Sequence, residues 1–186
     1  MTTARRTARQ KPSSPPAAID EAALSKAALG YLNRRDASRS KLRQHLERWV
    51  TRSAPEQLAA LRPLIDQLLT RYQASGLIDD QRLAENAVKS LRARGKSARA
   101  ISHKLSAQGV GGSSIDAALS ADRRENAEAE LSAARALARK RKLGAYRPES
   151  ERAERRQKDL AVLARAGFDF DICRRALGGD AADDEF

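Results

Sequence analysis

The sequence predicts an all-α protein, an elongated array of three tandem three-helix, helix-turn-helix-like repeats, and three observations carry this expectation. Apolar residues recur at three- and four-residue steps along most of the chain, the period of a helix with one buried face. The pattern also returns: an offset of 59 residues carries Ser38, Leu42 and Leu46 onto Ser97, Ile101 and Leu105. An offset of 58 carries Leu105, Gly109, Val110, Ala118 and Leu119 onto Leu163, Gly167, Phe168, Ala176 and Leu177. Finally, isolated helices this short are marginal in water, so each must bury its stripe against its neighbours, which for tandem units gives an extended, curved stack.

Residues 1–18 carry Arg5, Arg6, Arg9 and Lys11, no acid, and Pro12, Pro15 and Pro16. Without apolar periodicity to offset the entropy of ordering, they read as a disordered basic arm, either a nonspecific phosphate contact or a solubilising tail. The first repeat is placed at residues 19–78. Asp20 is positioned to cap a helix with Leu24, Ala28, Tyr31 and Leu32 on one face, closed by Arg34, Arg35 and Asp36. Ser38 opens the second helix, and Pro55 opens a longer third one through Leu58, Leu61, Ile65, Leu68, Leu69 and Tyr72. A break near Pro63 stays open as an alternative, and Gly76 ends the helix.

The second repeat, residues 79–122, has the sharpest pattern. Leu83, Ala84, Ala87, Val88 and Leu91 make one apolar face, Asp79 or Asp80 can accept from the free N–H groups of the first turn, and Gly95 can end the helix. Ser97 caps a short basic helix carrying Ile101 and Leu105, stopped by Gly109 with Val110 folding back. Ser113 followed by Asp116 has capping-box spacing before a third helix with Ile115, Ala118 and Leu119 inward. The third repeat, residues 123–178, starts with Ala127, Leu131, Ala134 and Ala138 in register, ends that helix in the run Arg139 to Lys142, and loops around Gly144 to Pro148. Residues 179–186 form an acidic tail with Asp180, Asp183, Asp184 and Glu185, either a solvated end or a competitor with nucleic acid for the basic face.

Thirty-six basic and 24 acidic residues leave a net charge of +12, which points first to anionic partners. With three Phe, three Tyr and one Trp, the cores must be built from Leu, Ala, Ile and Val. No apolar run approaches the roughly 20 residues that span a bilayer, and the N-terminus lacks a signal-peptide core, so a cytoplasmic protein without membrane contact is expected. The single Cys173 sits at an apolar helical position beside Ile172 and reads as a buried structural thiol.

Little here suggests chemistry. His45 and His103 lie beside basic residues, the Asp79–Asp80 pair falls where helix caps belong, and Gly109 to Gly112 lacks the Lys-Ser/Thr ending of a phosphate loop. No catalytic residue, metal or cofactor is therefore expected. The basic residues say more. Arg35, Arg39, Lys41, Arg43 and Arg48 surround the second helix of the first repeat, and Arg92, Arg94, Lys96, Arg99 and Lys104 that of the second. The candidate contact surface is Arg35, Arg39, Arg43, Arg92, Arg94, Lys96, Arg99 and Lys104, a stripe able to follow an anionic backbone or acidic groove. Ordinary solvated helix faces are the plainer reading.

At this level the chain resembles the RecX family of recombinase regulators. GLIDDQRLAENAV and RGKSARAISHKLSAQGV resemble the family's central repeat, ALGYLNRRDASRSKLRQHL its first, and LARAGFDFDICRRAL its last. The chain departs where Trp49, Val50 and Thr51 to Pro55 replace a glycine-ended second helix, and in a highly charged linker from Lys140 to Arg156. The resemblance implies a non-enzymatic protein, expected to be a monomer. It would bind the RecA filament on single-stranded DNA and suppress its ATPase, strand exchange and coprotease activity in DNA repair, recombination and the SOS response. Nonspecific contact with DNA, single-stranded first and duplex second, is expected as well. The rival class is a sequence-specific helix-turn-helix transcription regulator, but no unit offers a clear recognition helix rich in Arg, Asn and Gln.

The register itself is testable. Leu105→Ala should destabilise the central unit by roughly 2–5 kcal/mol if Leu105 is a core residue, read as a lowered denaturant midpoint; an unchanged midpoint would refute the repeat register.

Overall fold

In the computed structural model, residues 18–178 are described; the basic arm, apart from Ala18, and the acidic tail lie outside the described residues. Three groups of helices each close on a core of Leu, Ile, Val and Ala. The first comprises α1 (Glu21–Leu32), α2 (Arg39–Ser53) and α3 (Leu58–Ala74), the last introduced by a 3-10 turn at Pro55–Gln57. Next come α4 (Asp80–Ala93), α5 (Ala98–Ala107) and α6 (Gly112–Glu125). The third group is α7 (Ala129–Arg141), a 3-10 turn at Gly144–Tyr146, α8 (Glu149–Arg165) and α9 (Phe170–Ala176). The described residues contain no strand.

The periodic residues fill these cores. Leu24, Leu42, Leu46, Ile65 and Leu69 meet in the first, Val88, Ile101, Leu105 and Ile115 in the second, and Leu131, Ala134, Leu163, Phe168 and Cys173 in the third. Leu105 is fully buried. The two glycine stops at Gly109 and Gly167 adopt left-handed backbone (φ 74° and 90°). Behind them Val110 N donates to Leu105 O at 3.1 Å and Phe168 N to Leu163 O at 3.3 Å, so the same turn folds both apolar residues into their cores.

Several details differ from the sequence reading. Helix α6 begins at Gly112 behind Gly111, with no side-chain cap, so Ser113 lies within the helix and the capping box does not form. The cause is Val110: once the turn after Gly109 buries it, one residue remains before the helix starts. Helix α3 runs unbroken through Pro63, its sixth residue, which removes one ladder bond while Leu61, Ile65, Leu68 and Leu69 on either side stay buried in the core. Ala127 is exposed and precedes α7, whose inner face is made instead by Ala129, Leu131, Ala133, Ala134 and Ala138. The charged linker is held by Asp159, 1% exposed, which accepts from Gly144 N at 2.8 Å and from the Arg147 fork at 2.9 Å on both oxygens. Burial pushes the Asp159 carboxyl up, but the Arg147 and Gly144 hydrogen bonds and the Arg147 and Arg155 charges outweigh it and hold it below its ordinary value.

The groups join through their second helices. Ser38 accepts from Lys41 N at 3.2 Å as the cap of α2 and donates its hydroxyl to Gln108 O, just beyond α5, at 2.7 Å. Ser97 repeats both bonds one unit later, accepting from Ala100 N at 3.2 Å and donating to Ala166 O, just beyond α8, at 2.7 Å. The C-terminal end of α8 therefore meets the N-terminal end of α5, and that of α5 meets α2, with opposite dipole ends in contact. A side chain at either glycine would collide: a Cβ on Gly109 would come within 2.8 Å of Ser40, and one on Gly167 within 2.8 Å of the Ser97 hydroxyl. Helix α2 itself ends without glycine, at buried Ala54. No earlier described unit presents a serine for it to meet.

An acid from the following unit adds a bond at each junction. Asp80 accepts from Arg39 N at 2.9 Å, and Glu130 from Ala98 N at 3.1 Å. The second junction is the stronger. Arg92, only 9% exposed, pairs with Asp122 at 2.9 Å and Glu130 at 2.5 Å and donates to Lys96 O, while α4 packs on α7. Between the first and second units, α1 and α4 are parted by a cleft of about 290 Å³, with Leu29 and Leu77 exposed on its rim.

Ser97→Ala should lower stability by about 1–3 kcal/mol, the sum of a lost cap and a lost buried hydrogen bond, whereas Ser113→Ala should stay within about 0.5 kcal/mol; denaturant midpoints of the two variants decide it. Arg92→Ala leaves two acids facing each other across the second junction and should cost about 2–4 kcal/mol. Differential hydrogen exchange should show the loss concentrated in α4, α6 and α7, and exchange spread evenly over the chain would contradict the junction.

Candidate functional site

The eight basic residues singled out in the sequence do not form one stripe, because helix α2 turns its cations to two sides. Arg39 and Arg43, four apart, face α3: Arg39 Nη2 lies 3.4 Å from Thr70 Oγ1, and Arg43 is paired with Asp66 and, at 3.9 Å, with Glu47. Arg43 is thus neutralised and Arg39 half-buried. Arg92 is not on the surface at all; it is the buried pairing residue of the second junction. Periodicity placed Arg92 off the apolar stripe, which is correct for its own helix, but it could not show that α7 covers that side.

What remains open is a different set. Arg94, Lys96, Arg99 and Lys104 are exposed, and no ion pair is formed by them among the described residues. Arg94 ends α4, Lys96 and Arg99 flank the capping Ser97, and Lys104 lies a turn further along α5. The offset of 59 residues puts Arg94 on Arg35, so these two open cations occupy equivalent positions, and puts Lys104 on the half-buried His45. In the third unit the exposed run Arg139, Lys140, Arg141 and Lys142 closes α7, with Lys142 in left-handed conformation (φ 53°).

On the first unit, Arg35 is joined by three arginines outside the predicted set: Arg34, Arg48 and Arg52. His45 stacks on Tyr31 with ring centroids 4.2 Å apart and 25° between planes, and the Arg35 guanidinium lies over the Tyr31 ring at 5.5 Å. Burial, then the charges of Arg48, Arg52, Arg34 and Arg35, hold the His45 imidazole below its ordinary pKa. The 41, 45, 48, 52 spacing on α2 was the available signal for this face. Separating it from the 39, 43 face required knowing where α3 carries Asp66.

The remaining candidates are structural. Asp79 caps α4 through Arg82 N at 2.9 Å, and Asp80 reaches Arg39 N in the preceding unit. His103 is exposed on α5. Cys173 is fully buried, its sulfur 3.6 Å from Phe168 O, and burial pushes its thiol pKa up. The surface therefore offers guanidinium and ammonium groups on a rigid helical frame, suited to binding anions and acidic grooves.

A profile of the second three-helix domain of RecX matches residues 79–119. Regulatory protein RecX of Myxococcus xanthus is 36% identical over 172 residues, covering 90% of this chain and 90% of that protein. The Halorhodospira halophila protein of the same name is 33% identical over 159 residues, covering 86% of this chain and 89% of that one. A crystal structure of regulatory protein RecX superposes with a TM-score of 0.61 at 23% identity, covering 86% of this chain and 72% of that chain. RecX from Lactobacillus salivarius gives 0.61 at 19% identity, covering 84% and 94%. The solved structures share the all-helical fold, and the sequence match extends over nearly the whole length, so the chain belongs to the RecX family of regulatory proteins.

Proposed function

We propose that this protein binds the RecA filament assembled on single-stranded DNA and inhibits its ATPase, strand exchange and coprotease activity, acting in the cytoplasm as a monomer without catalytic chemistry of its own. The observation that supports this reading is the equivalent placement of an open arginine on successive units, Arg35 and Arg94, while Arg43 and Arg92 are taken up in ion pairs within the fold. A filament offers the matching partner, with protomers repeating along one axis and a polyanion inside. Tandem units held in fixed register engage several weak sites at once, which raises affinity without any single strong contact. Inhibition is then steric and conformational: a rod lying across neighbouring protomers opposes the rearrangements that accompany ATP hydrolysis and strand exchange.

A titration into cognate RecA on single-stranded DNA tests the reading. The wild-type chain should lower DNA-dependent ATP hydrolysis at or below stoichiometric amounts and hydrolyse none itself. Reversing Arg94, Lys96 and Arg99 to Glu should weaken inhibition about tenfold or more while circular dichroism shows the helices intact, since three attractive charges become repulsive. If wild type leaves ATPase, filament length and strand exchange all unchanged, the function is wrong; if the folded triple variant inhibits normally, only the contact surface is wrong.

A further inference from the structure

The first unit sorts its charges. Asp66 and Glu47 meet Arg43, Glu47 also meets Arg62, and Glu21 meets Arg71, while Asp36 of the α1–α2 turn lines the cleft towards the second unit. Around the Tyr31–His45 pair, Arg34 and Arg35 from that turn and Arg52 from the last turn of α2 are exposed and form no ion pair among the described residues. Arg48 donates only its Nε, to Gln44 O at 3.1 Å on its own helix, leaving the outer guanidinium nitrogens open. Like charges gathered this way repel one another and gain nothing from the fold.

The cluster is also positioned. Arg34 N donates to Tyr31 O at 3.2 Å and Arg35 N to Leu32 O at 3.3 Å, which fixes the turn, and the Tyr31 ring holds the Arg35 guanidinium. We propose that Arg34, Arg35, Arg48 and Arg52, gathered around the stacked Tyr31–His45 pair, form a phosphate-binding site for single-stranded nucleic acid on the first unit. Guanidinium forks bind phosphate oxygens in bidentate fashion, and the half-buried aromatic pair beside them offers the face of an unpaired base an edge-to-face contact. A duplex keeps its bases stacked inside and can use only the arginines. The site rests on the nucleic-acid part of the proposed function and extends it to residues outside the second unit.

His45 reports occupancy. The charged groups facing it are Arg34 and Arg35 from the turn and Arg48 and Arg52 from its own helix, with Tyr31 of α1 against its ring. A phosphate seated among them offsets these cations, so binding raises the imidazole pKa and strengthens as pH falls.

The experiment uses the full chain, without recombinase, and a fluorescent thymidine oligonucleotide. Arg34→Gln/Arg48→Gln/Arg52→Gln is compared with Arg82→Gln/Arg123→Gln/Arg124→Gln, an exposed triple of the same net charge. The site triple should weaken binding about tenfold or more and reduce the slope of log K against log salt by about 2, at roughly 0.7 per phosphate contact on a single strand. The control triple should fall by less than about threefold, the screened effect of distant charge. Replacing the same three residues by Lys should retain part of the affinity, and adding oligonucleotide should shift the His45 ring titration upward. Equal losses for the two triples, an unresponsive His45, or equal affinity for a duplex of the same length would each overturn the site. Absent oligonucleotide binding by wild type would overturn it too, while leaving RecA inhibition, measured separately, to judge the proposed function.

Discussion

The hydroxyl of a helix-capping serine, shared between two units, is the interaction from which the rest of this architecture follows. Ser38 and Ser97 each accept from an N–H of their own first turn and donate to a carbonyl just beyond the next unit's second helix. A hydroxyl has one proton and two lone pairs, so it satisfies an orphan donor and an orphan acceptor together. The geometry leaves no room for a side chain on the facing residue, hence Gly109 and Gly167, whose left-handed turns in turn carry Val110 and Phe168 into their cores. Cap, glycine stop and core residue are one unit of design, and the stacking of α8, α5 and α2 end to end is its consequence.

The two junctions share that device but differ in strength. Between the second and third units, Arg92, Asp122 and Glu130 are withdrawn from water and α4 lies directly on α7. Between the first and second, the shared serine and Asp80 act beside an open cleft edged by exposed Leu29 and Leu77. Fewer buried contacts mean a lower free energy of local opening. The first unit is therefore the more loosely held of the three.

Most of the fold was legible because each signal had a local cause. The 3.6-residue stripe marked the cores, Asp20, Ser38, Asp79 and Ser97 marked helix starts, and glycines marked stops. The misreadings came from causes outside the local window. Ser113 has capping-box spacing, but the burial of Val110 starts α6 before it. Asp159 belongs to no motif or stripe that the sequence marks, yet Arg147 and Gly144 make it a buried anchor. The candidate surface was half legible for the same reason: Arg94, Lys96, Arg99 and Lys104 are exposed, while the fate of Arg43 and Arg92 depends on Asp66, Asp122 and Glu130, which only the packing of other helices brings near.

A basic protein of this kind must keep its cations from collapsing onto its own acids, and the fold does so by segregation. Acids at the unit junctions, on third helices and, as Asp159, on α8 hold Arg43, Arg71, Arg92 and Arg147 in place. Cations beyond that need are left on the turns before the second helices and on α2 and α5 themselves, positions that recur with the repeat. The surplus that gives the chain its net charge of +12 is thus tied to the same period as the shared serine. Open cations held at a fixed spacing can meet a periodic polyanion with several contacts in register, so that on the proposed function the preference for an assembled filament over its free subunits would come from repeat spacing and not from a recognition residue at any one position.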